Sequence, residues 1–198
     1  SMSFAKLYEF ANALGEYPVR LQGIVDEQVK AFTAQDELYY VPCELDPDIS
    51  LGHIKQYRVP AVVYDGDPAW VTEIRYHNEL NTCWKRYVCC KELMHCFDFD
   101  EERVDEAEKF EQLLDEIEAP LPNDASSPMY KSEVRTLWMA VAILCPQTLR
   151  DHFKQQLDAK ELSPYEVALN LRIPEALVRT IMGESYDKMI PFLLEKMG

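Results

Sequence analysis

The β-forming residues of this chain are confined to one part of it, and this confinement limits the fold more than any other feature. Two runs rich in β-branched and aromatic residues, Val59–Tyr64 and Ala69–Tyr76, flank the turn sequence Asp65–Pro68 and predict a β-hairpin. The segment Glu37–Asp46 also has an extended pattern. Apolar residues elsewhere recur at helical spacing. The sequence therefore predicts the α+β class, with a small antiparallel sheet packed on helices.

Helices are predicted on both sides of the hairpin. Residues 3–17 have helical periodicity with a glycine near the end, which indicates an N-terminal helix. Asn81 can cap a helix over residues 83–97. A strongly acidic helix is expected over residues 101–117, before Pro120 and Pro122 stop it.

The remaining chain is predicted to be helical throughout. Residues 123–131 are polar and proline-containing, which is typical of a linker. We therefore expect an α+β domain over residues 1–122 and a helical region over 132–198 that packs on it. Its predicted helices cover 132–144, 146–156, 163–171, 174–182 and a last one from 186.

The charge of the chain argues against nucleic-acid binding. The formal net charge is −15, and Lys and Arg are scattered along the sequence. Because affinity for nucleic acid depends on neutralising phosphates, we expect no direct nucleic-acid contact. Electrostatic attraction instead favours a basic partner protein. No apolar run is long enough for a membrane span and the first residues do not resemble a secretion signal, so we expect a cytoplasmic protein with reduced cysteines.

The segment Lys91-Glu92-Leu93-Met94-His95 lies within the predicted 83–97 helix and resembles an altered metal-binding motif. In the motif H-E-x-x-H, two histidines on one helical face bind zinc and the glutamate acts as general base. Here the glutamate and the second histidine are present, and Lys91 stands in place of the first histidine. Cys89, Glu92 and Cys96 share a helical face, but buried, unligated thiols are the simpler interpretation.

These residues, together with the acidic helix that follows, resemble the ImmA/IrrE-like metallopeptidases, a zincin-related family found in phage, mobile elements and stress regulation. The segment 84–97 is similar to the family's H-E-x-x-H helix. Residues 104–120 are similar to its next helix through Ala107, Phe110, Leu113, Leu114 and Pro120. The resemblance implies a zincin-like pair of helices beside the small sheet, and it covers about residues 50–120.

The resemblance also implies which residues have changed role. Glu92 falls on the family's general base, His95 on its second ligand and Lys91 on its first, while the third ligand falls on Val104. Glu102, Asp105 or Glu106 could replace that ligand only if the helix shifted. A lysine ammonium about 4 Å from a zinc ion would repel it by roughly 8 kcal/mol at an effective dielectric constant near 20. Together with two missing ligands, this repulsion predicts that no zinc or other cofactor is bound.

Two hypotheses about function follow. In the first, the chain is a metal-free pseudo-peptidase that acts as a protein-interaction or regulatory module, with a basic or DNA-binding regulator as its partner. In the second, it is an active metal-dependent peptidase with an altered ligand set around Glu92 and His95, and zinc is its cofactor. Under the first hypothesis we further expect Lys91 to replace the charge of the metal and to pair with Asp105 or Glu106. The simpler interpretation is that Lys91 points to solvent.

Overall fold

The computed structural model describes residues 3–33, 35–60, 66–97 and 128–198, and it confirms the α+β class with a helical C-terminal part. The acidic segment predicted to be helical over 101–117 lies outside the described residues, as does most of the predicted linker. In chain order the elements are α1 Phe4–Leu14, α2 Asp26–Thr33, β1 Glu37–Cys43, β2 Gly52–Val59, β3 Ala69–His77, α3 Thr82–Met94, a 3₁₀ turn His95–Phe97, α4 Pro128–Leu144, α5 Gln147–Asp158, α6 Pro164–Leu171, α7 Glu175–Met182 and α8 Glu184–Lys196.

The three strands form one mixed sheet in the order β1-β3-β2. β2 and β3 are antiparallel, as the hairpin prediction requires, with Ile54 opposite Ile74. β2 ends at Val59, where the predicted first strand begins, and residues 61–64 of that prediction lie outside the described residues. Pro60 follows, and proline cannot donate to the ladder of hydrogen bonds. β1 adds a parallel pairing with β3, in which Tyr40 lies opposite Ile74.

Helix α3 lies between the sheet and the helical part of the molecule. Its cap is the predicted one, since the Asn81 side chain accepts a hydrogen bond from the Trp84 amide at 3.0 Å. One side of α3 contacts β2 and β3, and another contacts α4. Because both sides are covered, the second half of α3 is almost entirely buried.

Helix α4 forms the centre of the helical part. All residues from 136 to 144 are buried, and a helix that is apolar on every side belongs in a core. α4 contacts α1, α3 and α8, so the N-terminal and C-terminal parts of the chain share one hydrophobic cluster. The helix begins at Pro128, four residues before the predicted start and within the predicted linker.

The C-terminal helical hairpin follows its local sequence signals. Ser163 and Glu166 form a reciprocal capping box at the start of α6, and Arg172 ends that helix in the left-handed conformation with φ of 51°. α7 and α8 begin within two residues of their predicted starts. Helix α2 was not predicted, since only Val29 and Asp26 of its eight residues are buried and its apolar pattern is weak.

Candidate functional site

The altered motif lies at the buried end of α3, against the sheet. Glu92 is 3% exposed, although carboxylates are rarely buried without a partner. The backbone of Gly52 at the start of β2 approaches it closely: a Cβ at this glycine would lie 3.2 Å from Cγ of Glu92 and 2.6 Å from Cγ1 of Val88. The close approach of β2 to α3 therefore covers the Glu92 side chain.

Lys91 pairs with the buried carboxylate. Its Nζ lies 3.0 Å from Oε1 of Glu92, and the two side chains are 13% and 4% exposed. Adjacent helical residues do not normally face each other, so this contact differs from the usual helical pairs three or four residues apart. Oε1 is buried and accepts no hydrogen bond from the described residues, which leaves the Lys91 ammonium as its described counter-charge. The interpretation that Lys91 points to solvent does not fit this burial.

His95 lies near the other carboxylate oxygen of Glu92. Its Nε2 is 3.8 Å from Oε2, which is too long for a hydrogen bond, and its side chain is 14% exposed. The residue opens the 3₁₀ turn that ends α3. The structure therefore brings together the three residues of the altered motif that the sequence singled out, with Glu92 between the other two.

The described residues alone do not make up a zinc site, and the expected absence of zinc stays a prediction. A catalytic zinc needs three protein ligands and one open position. Within residues 3–33, 35–60, 66–97 and 128–198, no three His, Cys, Asp or Glu side chains converge as a metal site would require. The position that the resemblance assigns to the first ligand holds the Lys91 ammonium group, 3.0 Å from the Glu92 carboxylate. A divalent cation would have to displace that ammonium or tolerate its repulsion.

The cysteines around the motif behave as small apolar residues. Cys89 and Cys90 are buried in α3, and Cys145 is buried just after α4. Burial raises the pKa of each of these three thiols to about 12, so each is neutral at physiological pH. A neutral thiol is a poor metal ligand and a poor nucleophile.

The remaining predicted site residues cannot be placed. Asp105, Glu106 and Glu102, the expected partners of Lys91 or replacements for the third ligand, lie outside the described residues, as does Val104. The pairing of Lys91 with Asp105 or Glu106 stays a prediction. Its described partner is Glu92, the adjacent residue on the same helix.

One group of residues was missed by the sequence analysis. Arg20, Lys85, Arg86 and Arg172 line a common pocket beside the start of α3. The three segments that carry them are far apart in the chain, so no clustering of positive charge is visible in the sequence. Only the fold gathers them.

Comparisons of the chain with protein-family models, with curated proteins and with solved structures found no match. None of the described helices combines the length and apolar character that crossing a bilayer requires.

Proposed function

We propose that this chain is a metal-free pseudo-peptidase that serves as a protein-interaction or regulatory module. The observation that supports this most directly is the buried ion pair of Lys91 with Glu92. It places a positive charge at the position where the resemblance to ImmA/IrrE-like peptidases implies a zinc ligand.

The ion pair also prevents Glu92 from acting as a general base. In a zinc peptidase the glutamate takes a proton from a water molecule that the metal has acidified. Here one oxygen of the carboxylate is held by an ammonium group, and the residue is 3% exposed. Neither an acidified water nor free access to the carboxylate is provided by the described residues.

The partner that the charge of the chain favours is a basic protein, such as a DNA-binding regulator. With a net charge of −15, long-range attraction would speed association with such a partner. The loop between β1 and β2 offers a contact point, because Ile49 is 83% exposed and is flanked by Asp46 and Asp48. The loop is ordered by Asp46, whose carbonyl accepts hydrogen bonds from the amides of Ile49 and Ser50. An exposed apolar side chain with acidic neighbours suits a basic surface that has an apolar centre.

The proposal is tested by capturing partners from the native host with tagged protein, in parallel with peptidase assays. Captured partners should be basic, and their retention should fall as salt is raised, because exposed charges are screened. Ile49→Asp should weaken capture, and addition of a zinc chelator should leave it unchanged. A matched control is Leu169→Asp, which changes another exposed apolar residue, 52% exposed, on α6.

The peptidase assays address the competing hypothesis of an active enzyme. The wild-type chain should not cleave peptide substrates with or without added zinc. Lys91→His alone should also remain inactive, because the third ligand is still missing at Val104. Zinc-dependent cleavage by the wild-type protein, abolished in Glu92→Gln, would contradict the proposal.

A further inference from the structure

A pocket of about 350 Å³ lies at the amino-terminal end of α3, whereas the Lys91–Glu92 pair lies near the other end of that helix. It is formed where four parts of the molecule meet: the turn before α2, strand β1, the first turns of α3, and the turn between α6 and α7. Its charged lining residues are Arg20, Lys85, Arg86 and Arg172. The volume is within the range of small-molecule sites in proteins.

The positive charge of this pocket is not neutralised by the described residues. No acidic residue is among those that line it, and none of the four cations lies within 4.0 Å of a described carboxylate. In a chain with 35 acidic and 20 basic residues, four cations sharing one concave site without a carboxylate is an unexpected distribution. The buried Asp26 is not a lining residue, and its carboxylate already accepts hydrogen bonds from the hydroxyl of Tyr40, which does line the pocket, and from the Gly23 amide.

Arg86 is the best-fixed cation in the pocket. Its Nη2 donates to the main-chain carbonyl of Val19 at 2.7 Å, and its Nε donates to the main-chain carbonyl of Arg172 at 3.1 Å. Both acceptors are neutral, so the guanidinium is oriented but keeps its full charge. Burial lowers the pKa of Arg86, and the charge of the adjacent Arg172 also lowers it, which means that the positive form would gain from a nearby anion.

The other walls of the pocket are not charged. Leu21 and the neutral Cys89 thiol supply apolar surface, and the Tyr40 ring is half-buried beside them. A ligand that fills the pocket therefore needs an anionic group for the cations and a less polar body for these walls.

We propose that this pocket binds a small phosphate monoester. A phosphate dianion matches the geometry of arginine guanidinium groups, which donate paired hydrogen bonds to its oxygens. The net charge of −15 repels a long polyanion as a whole, whereas a small dianion can enter the local positive field of the pocket. The site is separate from the altered peptidase motif, so its occupation does not depend on the proposed function.

The test uses the full chain and titrates three probes at low ionic strength by calorimetry: inorganic phosphate, adenosine monophosphate and glucose 6-phosphate. The phosphate group is common to all three, and the bodies differ. At least one monoester should bind saturably with a Kd of about 1 mM or below. Tighter binding of adenosine monophosphate would identify a nucleotide, and tighter binding of glucose 6-phosphate a sugar phosphate.

The variant Arg20→Gln/Arg172→Asn removes two exposed cations of the pocket. It keeps the bonds of Arg86, whose acceptors are main-chain carbonyls, and asparagine tolerates the positive φ of position 172. Binding of the monoester should weaken about tenfold or more, since charge-assisted hydrogen bonds are lost.

The matched control is Lys6→Gln/Lys160→Asn. It removes the same charge from exposed positions outside the pocket, and Lys160 also has a positive φ, of 58°. This variant should bind as the wild type does, within about twofold. The proposal is overturned if none of the three probes saturates, or if the control variant loses as much affinity as the pocket variant.

Discussion

Replacing Lys91 with methionine should destabilise the fold clearly, because it leaves the Glu92 carboxylate buried without its described counter-charge. Methionine keeps the aliphatic stem of the lysine, so the apolar contacts of the side chain change little. What is lost is the ammonium group 3.0 Å from Oε1 of Glu92. The substitution therefore isolates the charge.

The size of the effect follows from the burial of the pair. The side chains are 13% and 4% exposed, so solvent screens their interaction only weakly. Removing one partner from a buried ion pair costs about 3–5 kcal/mol, whereas an ordinary surface substitution changes stability by less than about 0.5 kcal/mol. We expect Lys91→Met to fall in the first range. Lys188→Met, at an exposed lysine in α8, serves as the surface control and should fall in the second.

Chemical denaturation followed by circular dichroism measures both variants, provided that the slope with denaturant is unchanged. Glu92→Gln and the double variant Lys91→Met/Glu92→Gln complete a double-mutant cycle. Because glutamine removes the charge that needs Lys91, the double variant should recover much of the lost stability, with a coupling energy of about 2 kcal/mol or more. A loss below about 0.5 kcal/mol in Lys91→Met, or strictly additive effects, would refute the buried ion pair.

Three further predictions concern packing, capping and thiols. Gly52→Ala should destabilise the fold by about 1–3 kcal/mol in denaturant titrations. The new Cβ would lie 2.6 Å from Cγ1 of Val88 and 2.9 Å from the carbonyl oxygen of Arg75. An unchanged stability would mean that β2 does not pack on α3 as described. Ser163→Ala should cost about 1 kcal/mol by the same measurement, since it removes the capping box with Glu166, and a neutral result would contradict that cap. A thiol reagent at pH 8 should label the partly exposed cysteines of the native protein and spare the buried ones until the chain unfolds. The pKa of the buried thiols is raised to about 12. Labelling of these buried thiols before unfolding would contradict their burial. The spared residues should be Cys89, Cys90 and Cys145.

Local signals made much of the fold predictable. Gly15 ends α1 in the left-handed conformation, Asn81 caps α3, and Ser163 caps α6, each as its residue type favours. These are interactions among neighbours in the sequence. Strand β3 was also found, since Ala69–His77 is rich in β-branched and aromatic residues and follows a turn sequence.

Pairing at long range was not predictable in the same way. Strand over residues 52–58 was not predicted, because the outward residues of β2 are polar and its apolar residues are few. The parallel pairing of β1 with β3 depends on the chain between them and has no local signal. The apolar sequence of α4 indicates burial, but it does not reveal that α1, α3 and α8 provide the contacts.

The two candidate sites also differ in whether a local sequence pattern or long-range packing forms them. The altered motif was visible because Lys91, Glu92 and His95 lie within five consecutive positions of the sequence. The partner of Lys91 was expected on the next helix, but the described partner is Glu92, a contact that helical spacing alone disfavours. The cationic pocket was missed altogether, because Arg20, Lys85 and Arg172 are brought together only by tertiary packing.

The zinc content of the purified chain tests the central claim most directly. Elemental analysis should find well under one zinc per chain, because the position that the resemblance assigns to the first ligand holds Lys91 and that lysine is paired with Glu92. The content should stay low after incubation with zinc and removal of the excess. Stoichiometric zinc that is lost together with structure in the His95→Ala variant would contradict the account.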